Sequence, residues 1–458
     1  MGKEADVHNH ARNRMGRRTF LGHGIAGIGV LASLDTARSA APAREKPSKP
    51  VRIGVIGVGP RGRWHITNLL ANHPDVAIPA IGDIQEDRLK MAVDMVKKAR
   101  GTVPVGYSKG EYDYRNLCER DDLDAVLIAG PVQWIGRMTI DALKAGKHVG
   151  HEVSGVQTED ECWAMVKEKE KSKKRVMLLE NCCYGNETMM IYRMVKQGLF
   201  GEPYYAEGSY VHDIGVARLF EPNGKLSWRG ELVRDSYGSA YPQHGLGSAC
   251  KWLEINDGDR MECCQTMMTA PRVAHARAVA KYGPDSKQAK VDFKTGDFVS
   301  SLIWTAKGRM IRLDYGITGP RPYSRYYLLQ GTKGCWDSRS GIFLEGSSPG
   351  RSGAHDAWEP LDKFQEKYQH SYWRKEGAVA QRFGGHGGID YYCIYDFVKM
   401  VREDREPWID VYDAATWSSL IFCSKLSLDR NGARVEMPDF TNGKWKDSQW
   451  RRDRMPAT

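Results

Sequence analysis

A glycine-rich turn between two apolar segments is the first pattern in the chain whose residues could bind a ligand. Residues 51–56 are apolar and rich in β-branched side chains, which predicts a buried parallel strand, and Gly57-Val58-Gly59-Pro60-Arg61-Gly62 follows directly. Glycines at this spacing allow a tight turn and let backbone N–H groups approach a pyrophosphate, which the N-terminus of the next helix also attracts. A second strand, 76–82, ends at Asp83, where a carboxylate can accept hydrogen bonds from ribose hydroxyls. This order of elements predicts NAD binding through Gly57, Gly59, Gly62 and Asp83.

The alternation of strands and helices continues to about residue 180. Further strands are expected at 124–129, 148–150 and 176–180, with helices at 137–145 and 159–173 between them. His151-Glu152-Val153-Ser154 follows one of these strands, at the sheet edge where open α/β sheets bind ligands. We therefore predict an N-terminal Rossmann domain, a doubly wound parallel sheet, over residues 51–180.

The pattern changes after about residue 203. Strands are predicted at 203–212, 261–268, 298–305, 310–315 and 326–331, and helices return at 391–402 and 414–428. This predicts a C-terminal α+β domain with a large, mainly antiparallel sheet, which would bind the substrate, over residues 181–458.

The net charge is concentrated near the N-terminus. The 458 residues carry a formal charge of +10, and residues 1–50 hold nine Lys or Arg and four acidic residues. Half of the excess therefore lies in this segment, and the nearly balanced remainder argues against a nucleic-acid-binding protein.

The same N-terminal segment is typical of an export signal. Arg17-Arg18 precedes a weakly apolar stretch, 21–34, and the small-residue motif Ala41-Pro42-Ala43. This order predicts a twin-arginine signal peptide over residues 1–43, a linker over 44–50 and a periplasmic or secreted protein. A disordered basic tail is the alternative. No other stretch reaches 18 apolar residues, so we expect no membrane association of the mature form.

The ten cysteines form no recognisable metal or redox motif. None lies in a Cys-x-x-Cys spacing, and no His-Glu-x-x-His motif occurs. We therefore predict buried free thiols and no metal.

A dinucleotide domain followed by a sheet domain resembles the Gfo/Idh/MocA oxidoreductases. Dehydrogenases of that family carry Glu-Lys-Pro after the third crossover, where this chain has His151-Glu152-Val153-Ser154. They also carry Asp and His four residues apart on a helix, where this chain has Gln243 and Gly247. The resemblance therefore implies the fold without the usual machinery for alcohol oxidation.

One branch of that superfamily matches more closely. The chain resembles the NAD-dependent glycosidases of glycoside hydrolase family 109, typified by α-N-acetylgalactosaminidase, over about residues 17–446. The matching strings are 150–155 (GHEVSG), 179–184 (LENCCY), 241–245 (YPQHG), 321–323 (RPY), 385–391 (GHGGIDY) and 438–445 (PDFTNGKW).

The resemblance implies two sets of contacts. The residues expected to contact NAD are Arg61, Gly62, Asp83, Val132, Gln133, Trp134, Ile135, Glu152, Val153 and Asn181. The residues expected to contact the sugar are Tyr210, Arg229, Tyr241, Pro242, Gln243, His244 and Tyr323. Two segments depart from the family. Residues 132–135 replace Trp-Glu-Trp-His, which removes a polar contact near the nicotinamide, and 184–186 replace Tyr-Arg-Arg, which leaves the identity of the sugar open.

The family's chemistry is redox-neutral cleavage of a glycoside. Bound NAD⁺ oxidises C3 of the sugar, a base removes the acidified C2 proton, the glycosidic oxygen leaves, water adds, and the hydride returns to C3. This needs a base, an acid and a stabiliser of the enolate. Tyr184 and His244 are the first candidates for proton transfer, with Glu152 as an orienting group and Tyr323 and His386 as further catalytic candidates. Recycling of NAD would also suit an enzyme exported away from the cytoplasmic supply.

Two other functions are compatible with the sequence. One is an exported NAD(P)-dependent sugar oxidoreductase, and the other is a non-catalytic protein that binds NAD and sugar. The partner is in each case a small-molecule glycoside or sugar. Family members commonly pair through the open face of the second sheet, which favours a homodimer. The anomeric preference stays open.

Overall fold

The computed structural model describes residues 50–346, 348, 357–451 and 454. The predicted signal peptide, 1–43, and the linker except for Pro50 lie outside the described residues. No helix of the described part is long and apolar enough to cross a membrane.

The first sheet has six parallel strands. They are β1 Val51–Ile56, β2 Val76–Gly82, β3 Val105–Tyr107, β4 Ala125–Ile128, β5 His148–His151 and β6 Val176–Leu178. The helices between them are α1 Pro60–Asn72, α2 Glu86–Arg100, α3 Tyr114–Cys118, α4 Val132–Lys144 and α5 Glu159–Ser172. The strand order is β3-β2-β1-β4-β5-β6, so the winding reverses between β1 and β4. Ligands bind at such a switch point, and the glycine turn follows β1 there.

One helix boundary in this domain differs from the prediction. Helix α4 begins at Val132 rather than at residue 137, directly after Pro131. Proline cannot donate to a preceding turn, which makes it a suitable residue at a helix start. Residues 132–135 therefore form the first turn of α4.

The second sheet has eight strands in the order β13-β12-β11-β7-β10-β9-β8-β14. They are β7 Pro203–Val211, β8 Met261–Met268, β9 Val299–Thr305, β10 Met310–Gly316, β11 Tyr327–Gly331, β12 Gly334–Asp337, β13 Gly341–Leu344 and β14 Val435–Glu436. Only β7 and β10 pair in parallel, and the other neighbours are antiparallel. The predicted fold class, a Rossmann domain plus a mainly antiparallel α+β domain, is confirmed.

The helices of this half are α6 Asn186–Lys196, α7 Trp228–Asp235, α8 Gln243–Trp252, α9 Val273–Tyr282, α10 Gln365–Tyr368, α11 Ser371–Phe383, α12 Ile389–Glu403 and α13 Val411–Asp429. Helix α8 lies directly on β7, because a Cβ atom on Gly208 would lie 1.9 Å from the carbonyl oxygen of Gly245. Two glycines at the crossing thus allow the backbones to touch. This contact brings His244 on α8 next to Tyr210 on β7.

Helix α13 connects the two halves. It starts with a capping box, in which the Asp410 side chain accepts from backbone N–H groups of the first turn and Asp413 accepts in return. It packs against α5 and β6 of the first half and against α8 and β8 of the second. The helix is therefore buried on several sides. The predicted boundary at residue 180 stays a prediction.

Candidate active site

The glycine turn after β1 has the geometry that a dinucleotide requires. Gly57 has φ +82°, and a Cβ there would lie 2.7 Å from the backbone of Gly130. A Cβ on Gly62 would lie 1.9 Å from the carbonyl oxygen of Gly57. At Gly59, by contrast, a Cβ would meet nothing closer than Arg88 Nη1 at 4.0 Å. Two glycines thus close the turn, and the third leaves space above the N-terminus of α1 for phosphates.

Asp83 fixes the same turn from the end of β2. Its Oδ2 accepts a hydrogen bond from the backbone N–H of Val58 at 2.7 Å, and its Oδ1 accepts from Gln85 at 2.9 Å. The half-buried carboxylate has lone pairs left for ribose hydroxyls. Its position therefore fits the predicted cofactor contact.

The first turn of α4 has mixed exposure. Val132 and Ile135 are buried in the domain, whereas Gln133 is exposed and Trp134 is half-buried. The Trp134 ring packs edge-on against Tyr112 at 5.6 Å. Only two of the four predicted contacts therefore have a side chain with exposed surface.

A buried carboxylate, Asp390 on α12, joins several predicted site residues. Arg61 donates to its Oδ2 from Nη1 at 2.8 Å and to its Oδ1 from Nη2 at 3.1 Å. Asn181 donates Nδ2 to Oδ1 at 2.6 Å, and Trp64 donates Nε1 to Oδ2 at 3.0 Å. His386 Nδ1 lies 2.9 Å from Oδ2. The pKa of Asp390 lies well below its usual range: burial alone would raise it, but the hydrogen bond with His386 and the charge and hydrogen bonds of Arg61 favour the carboxylate.

Glu152 forms the second half of this network. Its Oε1 accepts from Arg61 Nε at 2.7 Å and lies 2.6 Å from Nε2 of the buried His65. Its Oε2 accepts from the backbone N–H of Val153 at 3.2 Å. Burial opposes ionisation, yet the charge of Arg61 and the bond to His65 lower the pKa of Glu152 to about 2. A carboxylate this acidic is a poor general base at neutral pH and is suited to orienting its neighbours.

We expect this depressed pKa to appear as acid sensitivity. A carboxyl group whose pKa falls from 4.5 to about 2 on folding contributes about 3 kcal/mol above pH 4.5, which is lost as pH falls towards 2. The difference in unfolding free energy between wild type and Glu152→Gln should therefore narrow between about pH 5 and pH 3. Urea unfolding at several pH values measures this. Glu86→Gln, at an exposed position, is the matched control, and a difference that is constant with pH would contradict the expectation.

One predicted sugar contact, Gln243, instead faces the turn after β5. The Gln243 side chain has no exposed surface, and its Nε2 donates to Ser154 O at 2.8 Å and lies 3.3 Å from Ser418 Oγ on α13. Pro242 is also buried. Gln243 thus ties the turn to α13 and offers no surface to a sugar. Tyr241 bridges the two regions, since its hydroxyl donates to Val153 O at 3.3 Å.

Aromatic side chains cluster beside this turn, and we call the group of Tyr210, His212, Tyr241, His244 and Tyr323 the aromatic pocket. Tyr210 stacks on Tyr241 with centroids 5.2 Å apart, and its edge meets His244 at 4.8 Å. Tyr323, which is 52% exposed, packs edge-on against His212 at 5.0 Å and against Tyr210 at 6.2 Å. Aromatic faces of this kind suit the C–H faces of a sugar. Four of the predicted substrate and catalytic residues are thus brought together.

His244 carries the chemical function of this pocket. Its Nδ1 lies 2.8 Å from Oε2 and 3.0 Å from Oε1 of Glu180, whose side chain is fully buried. Burial would raise the pKa of Glu180, but the His244 charge and hydrogen bonds lower it. Among the described residues no hydrogen-bond partner faces Nε2 of His244. A carboxylate that orients Nδ1 and leaves Nε2 available is the arrangement of a general acid–base.

A third group, Cys182, completes this cluster. Its Sγ lies 3.1 Å from His244 Nδ1 and contacts Nη1 of Arg325. Ligand atoms of Glu180, Cys182 and His244 all lie within 4.8 Å of one another, a set that could hold a cation. The guanidinium group of Arg325 against the thiol would repel such an ion. The predicted lack of a metal stays a prediction.

Tyr184, a predicted proton-transfer group, lies elsewhere. Its side chain has no exposed surface, its hydroxyl donates to Asp396 at 2.9 Å, and its ring packs edge-on against Trp408 at 5.3 Å. Burial and the Asp396 charge raise its pKa far above the usual value. The short 3₁₀ turn Cys182–Tyr184 directs the ring into the core while Cys182 faces the pocket. We therefore leave Tyr184 out of the proposed mechanism.

The remaining predicted residues lie at the edges. His386, in the 3₁₀ turn His386–Gly388 before α12, is more than half exposed and faces Asp390 rather than the aromatic pocket. Arg229, on the first turn of α7, lies over the Trp228 ring at 4.2 Å from its centroid.

Sequence reasoning missed several polar residues of the site. They are His65, Glu180, His212, Arg325 and Asp390. Glu180 and Asp390 lie inside the matching strings 179–184 and 385–391, and Arg325 lies two residues after Tyr323. The available signal was an acidic residue inside a matching string, as Glu180 is next to the predicted NAD contact Asn181.

Two family models match the chain. The model described as glycosyl hydrolase 109, C-terminal domain, matches residues 184–447, and that of the oxidoreductase family, NAD-binding Rossmann fold, matches residues 51–179. Among solved structures, levoglucosan dehydrogenase in complex with NADH and levoglucosan superimposes with a TM-score of 0.66 at 16% identity, covering 85% of this chain and 100% of that one. Scyllo-inositol dehydrogenase from Lactobacillus casei, with bound NAD(H) and scyllo-inositol, gives 0.59 at 15% identity, covering 85% and 99%. These two show the fold alone.

Closer relatives cover almost the whole chain. A glycosyl hydrolase family 109 protein from Solibacter usitatus is 38% identical, with 92% of this chain and 95% of that protein aligned. An alpha-N-acetylgalactosaminidase from Tannerella forsythia is 34% identical, with 96% and 98% aligned. Because the glycosyl hydrolase 109 model covers more than half of the chain and these relatives align over almost all of it, the chain belongs to glycoside hydrolase family 109 and is a glycosidase.

Proposed function

We propose that the protein hydrolyses terminal N-acetylgalactosamine-type glycosides by a redox-neutral route with tightly bound, recycled NAD. The observation that carries this proposal is the His244–Glu180 pair inside the pocket of Tyr210, Tyr241 and Tyr323. Tyr241 connects that pocket to the turn after β5 through Val153. The activity named for relatives from Tannerella forsythia and Shewanella oneidensis supports the choice of sugar.

The residues present fit NAD. Gly57, Gly59 and Gly62 would hold the pyrophosphate and Asp83 the ribose, while Arg61 and Asn181 are held by Asp390 at the same edge of the sheet. When bound, the cofactor supplies the acceptor and later the donor of one hydride at C3 of the sugar. Asp83 would repel a 2′-phosphate, which favours NAD over NADP.

The protein's own residues handle the protons. The C3 hydroxyl proton passes to solvent when the hydride leaves C3 and is taken back when the hydride returns. His244 Nε2 takes the C2 proton, the C–H electron pair becomes the C1–C2 double bond, and the C1–O bond breaks as the alcohol leaves with the proton that the His244 imidazolium gives up. Glu180 stabilises the resulting imidazolium. Water then returns OH to C1 and a proton to C2. Burial raises the pKa of Tyr241 well above its usual value, so this phenol stays protonated and acts as a hydrogen-bond donor.

Isotope transfer tests this proposal. Release of p-nitrophenol from nitrophenyl N-acetylgalactosaminide, without added NAD and without net NADH, is expected. In D₂O, the sugar product should carry deuterium at C2. Hydrolysis without deuterium at C2 would contradict the elimination route.

The alternatives give different results in the same assays. Net NADH formation with free sugar would indicate an oxidoreductase. Bound NAD with neither activity across a panel of glycosides would indicate a binding protein.

The open side of the glycine turn provides a direct test of cofactor binding. Gly59→Ala should leave stability unchanged, since its Cβ meets no atom within 3.9 Å, but weaken NAD binding about 10-fold or more by crowding the phosphates. Titration of the apoprotein with NAD measures this. Gly319→Ala, whose Cβ would also meet nothing within 4 Å, is the control, and unchanged affinity in Gly59→Ala would argue against this site.

We also propose export through the twin-arginine route, on the basis of the sequence of residues 1–43. Mass spectrometry of protein from the producing cell should find a new N-terminus near residue 43. Arg17→Lys with Arg18→Lys should keep the chain in the cytoplasm, and export of that variant would contradict the assignment.

A homodimer through the open face of the second sheet completes the proposal. Leu302 and Trp304 on β9 and Met267 on β8 are exposed large apolar side chains on that sheet. Such a patch favours association. Light scattering should give a dimer for wild type and a monomer for Trp304→Glu, and a monomeric wild type would contradict it.

A further inference from the structure

Three arginines whose charges act on Tyr210 lack acidic partners among the described residues. They are Arg218 in the 3₁₀ turn Val216–Arg218, Arg229 on α7 and Arg325 just before β11. Within the described part of the chain, no carboxylate oxygen lies within 4 Å of any of the three. Arg325 has a thiol, Cys182, and the face of Tyr323 at 5.1 Å as its neighbours.

The nearby acids are engaged elsewhere. Asp213 pairs bidentately with Arg277, and Glu180 faces His244. A half-buried guanidinium group without a counter-charge is costly, because burial removes water that the thiol cannot replace. The pocket therefore carries positive charge that a ligand could neutralise.

Other groups in the pocket experience this charge. The pKa of His212 falls to about 4, first because of burial and then because of the charges of Arg218 and Arg229. Its Nε2 is buried and has no hydrogen-bond partner among the described residues. The charges of all three arginines also act on the Tyr210 hydroxyl, opposing the rise in its pKa that burial causes. The charges of all three arginines thus act on Tyr210, and Arg325 reaches the pocket directly through its contacts with Tyr323 and Cys182.

We propose that the pocket binds a glycoside that carries an anionic substituent, a sulfate ester or a carboxylate, and that Arg325 pairs with this group. The planar guanidinium fork matches two oxygens of either anion. The inference rests on the proposed function in that the aromatic pocket holds the sugar. It adds that the substrate is negatively charged, whereas N-acetylgalactosamine, the sugar for which the relatives are named, is neutral.

Equilibrium binding to the holoenzyme tests this without requiring turnover. The probes are N-acetylgalactosamine, its 4- and 6-sulfates and galacturonic acid. At least one anionic probe should bind about 10-fold more tightly than the neutral sugar, and this preference should shrink in about 0.5 M NaCl. Comparison of the sulfates with the uronic acid shows whether the pocket prefers a sulfate ester or a carboxylate.

Variants assign the effect to the cluster. Arg325→Gln should reduce the preference, measured as the ratio of the affinities for the anionic and the neutral sugar, to within about 3-fold. Arg218 is exposed, so Arg218→Gln should disturb folding less than Arg325→Gln, and it should reduce the preference for the anionic sugar only partially. Arg339→Gln removes the same charge from a pair with Asp337 elsewhere on the sheet and should change nothing.

The outcomes separate this inference from the proposed function. Equal or tighter binding of the neutral sugar would overturn the inference, even if nitrophenyl N-acetylgalactosaminide is hydrolysed. A fall in kcat alone in Arg325→Gln, without change in selectivity, would also overturn it and assign Arg325 to the oxyanion formed in the reaction. Preferential binding of an anionic sugar without hydrolysis of any glycoside would support the inference and contradict the proposed function.

Discussion

His244→Asn is expected to lower kcat for glycoside cleavage by about 10² to 10⁴, the range for loss of a general acid–base. The imidazole lies between the fully buried Glu180 and the aromatic pocket, and its Nε2 has no protein partner among the described residues. Asn keeps the polarity and approximate size of the side chain but cannot take a proton. The variant should also lose exchange of the C2 proton with solvent.

Controls separate chemistry from folding in this experiment. Bound NAD should be unchanged in His244→Asn, because the residue lies outside the Arg61–Glu152–Asp390 network. The urea midpoint should fall, since the buried Glu180 loses its charged partner, and it shows whether the variant is still folded under the assay conditions. His275→Asn, at an exposed position on α9, is the matched control and should retain full activity. Cleavage at the wild-type rate by His244→Asn would remove His244 from the mechanism.

The parts of the molecule that are local in sequence could be predicted. The glycine turn and Asp83 follow from spacing, because a strand, a turn and a helix in succession position their own residues. The alternation of apolar residues likewise predicted β7, β8, β9, β10 and β11 to within a few residues.

The orientation of individual side chains could not be predicted in this way. Cys182 and Tyr184 are two residues apart in one 3₁₀ turn, and one faces the pocket while the other is buried against Trp408. Gln243 and His244 are adjacent, yet one bonds to the turn after β5 and the other faces Glu180. Periodicity does not specify such differences in short irregular turns.

Long-range contacts explain the missed polar residues. Asp390 receives Arg61 from 329 positions away and Asn181 from 209 positions away. No spacing rule joins residues this far apart, because the packing of α12 against α1 brings them together. A buried charge of this kind is therefore recognised from its hydrogen-bond partners in the folded structure and not from its position in the sequence.

Asp390→Asn is expected to have the second large effect, on cofactor retention and stability. The substitution preserves shape but removes the charge opposite Arg61 and places an amide where Trp64 and Asn181 donate. Removing one partner of a buried ion pair costs about 3–5 kcal/mol. Arg61 and Asn181 are both predicted NAD contacts and would lose their anchor. Purified Asp390→Asn should therefore contain less than about one tenth of the wild-type NAD, because the free energy of one lost ion pair is larger than the roughly 1.4 kcal/mol that corresponds to a 10-fold change in affinity.

Two measurements test this expectation together. NAD released on denaturation gives the occupancy, and urea unfolding gives the stability of the same sample. Asp94→Asn, which removes an exposed carboxylate paired only with Lys90, should match wild type in both. Full NAD content with an unchanged urea midpoint would contradict the organising role of Asp390. Loss of stability with full NAD content would restrict that role to folding. Only the combined loss would show that one buried carboxylate holds both the fold and the cofactor residues in place.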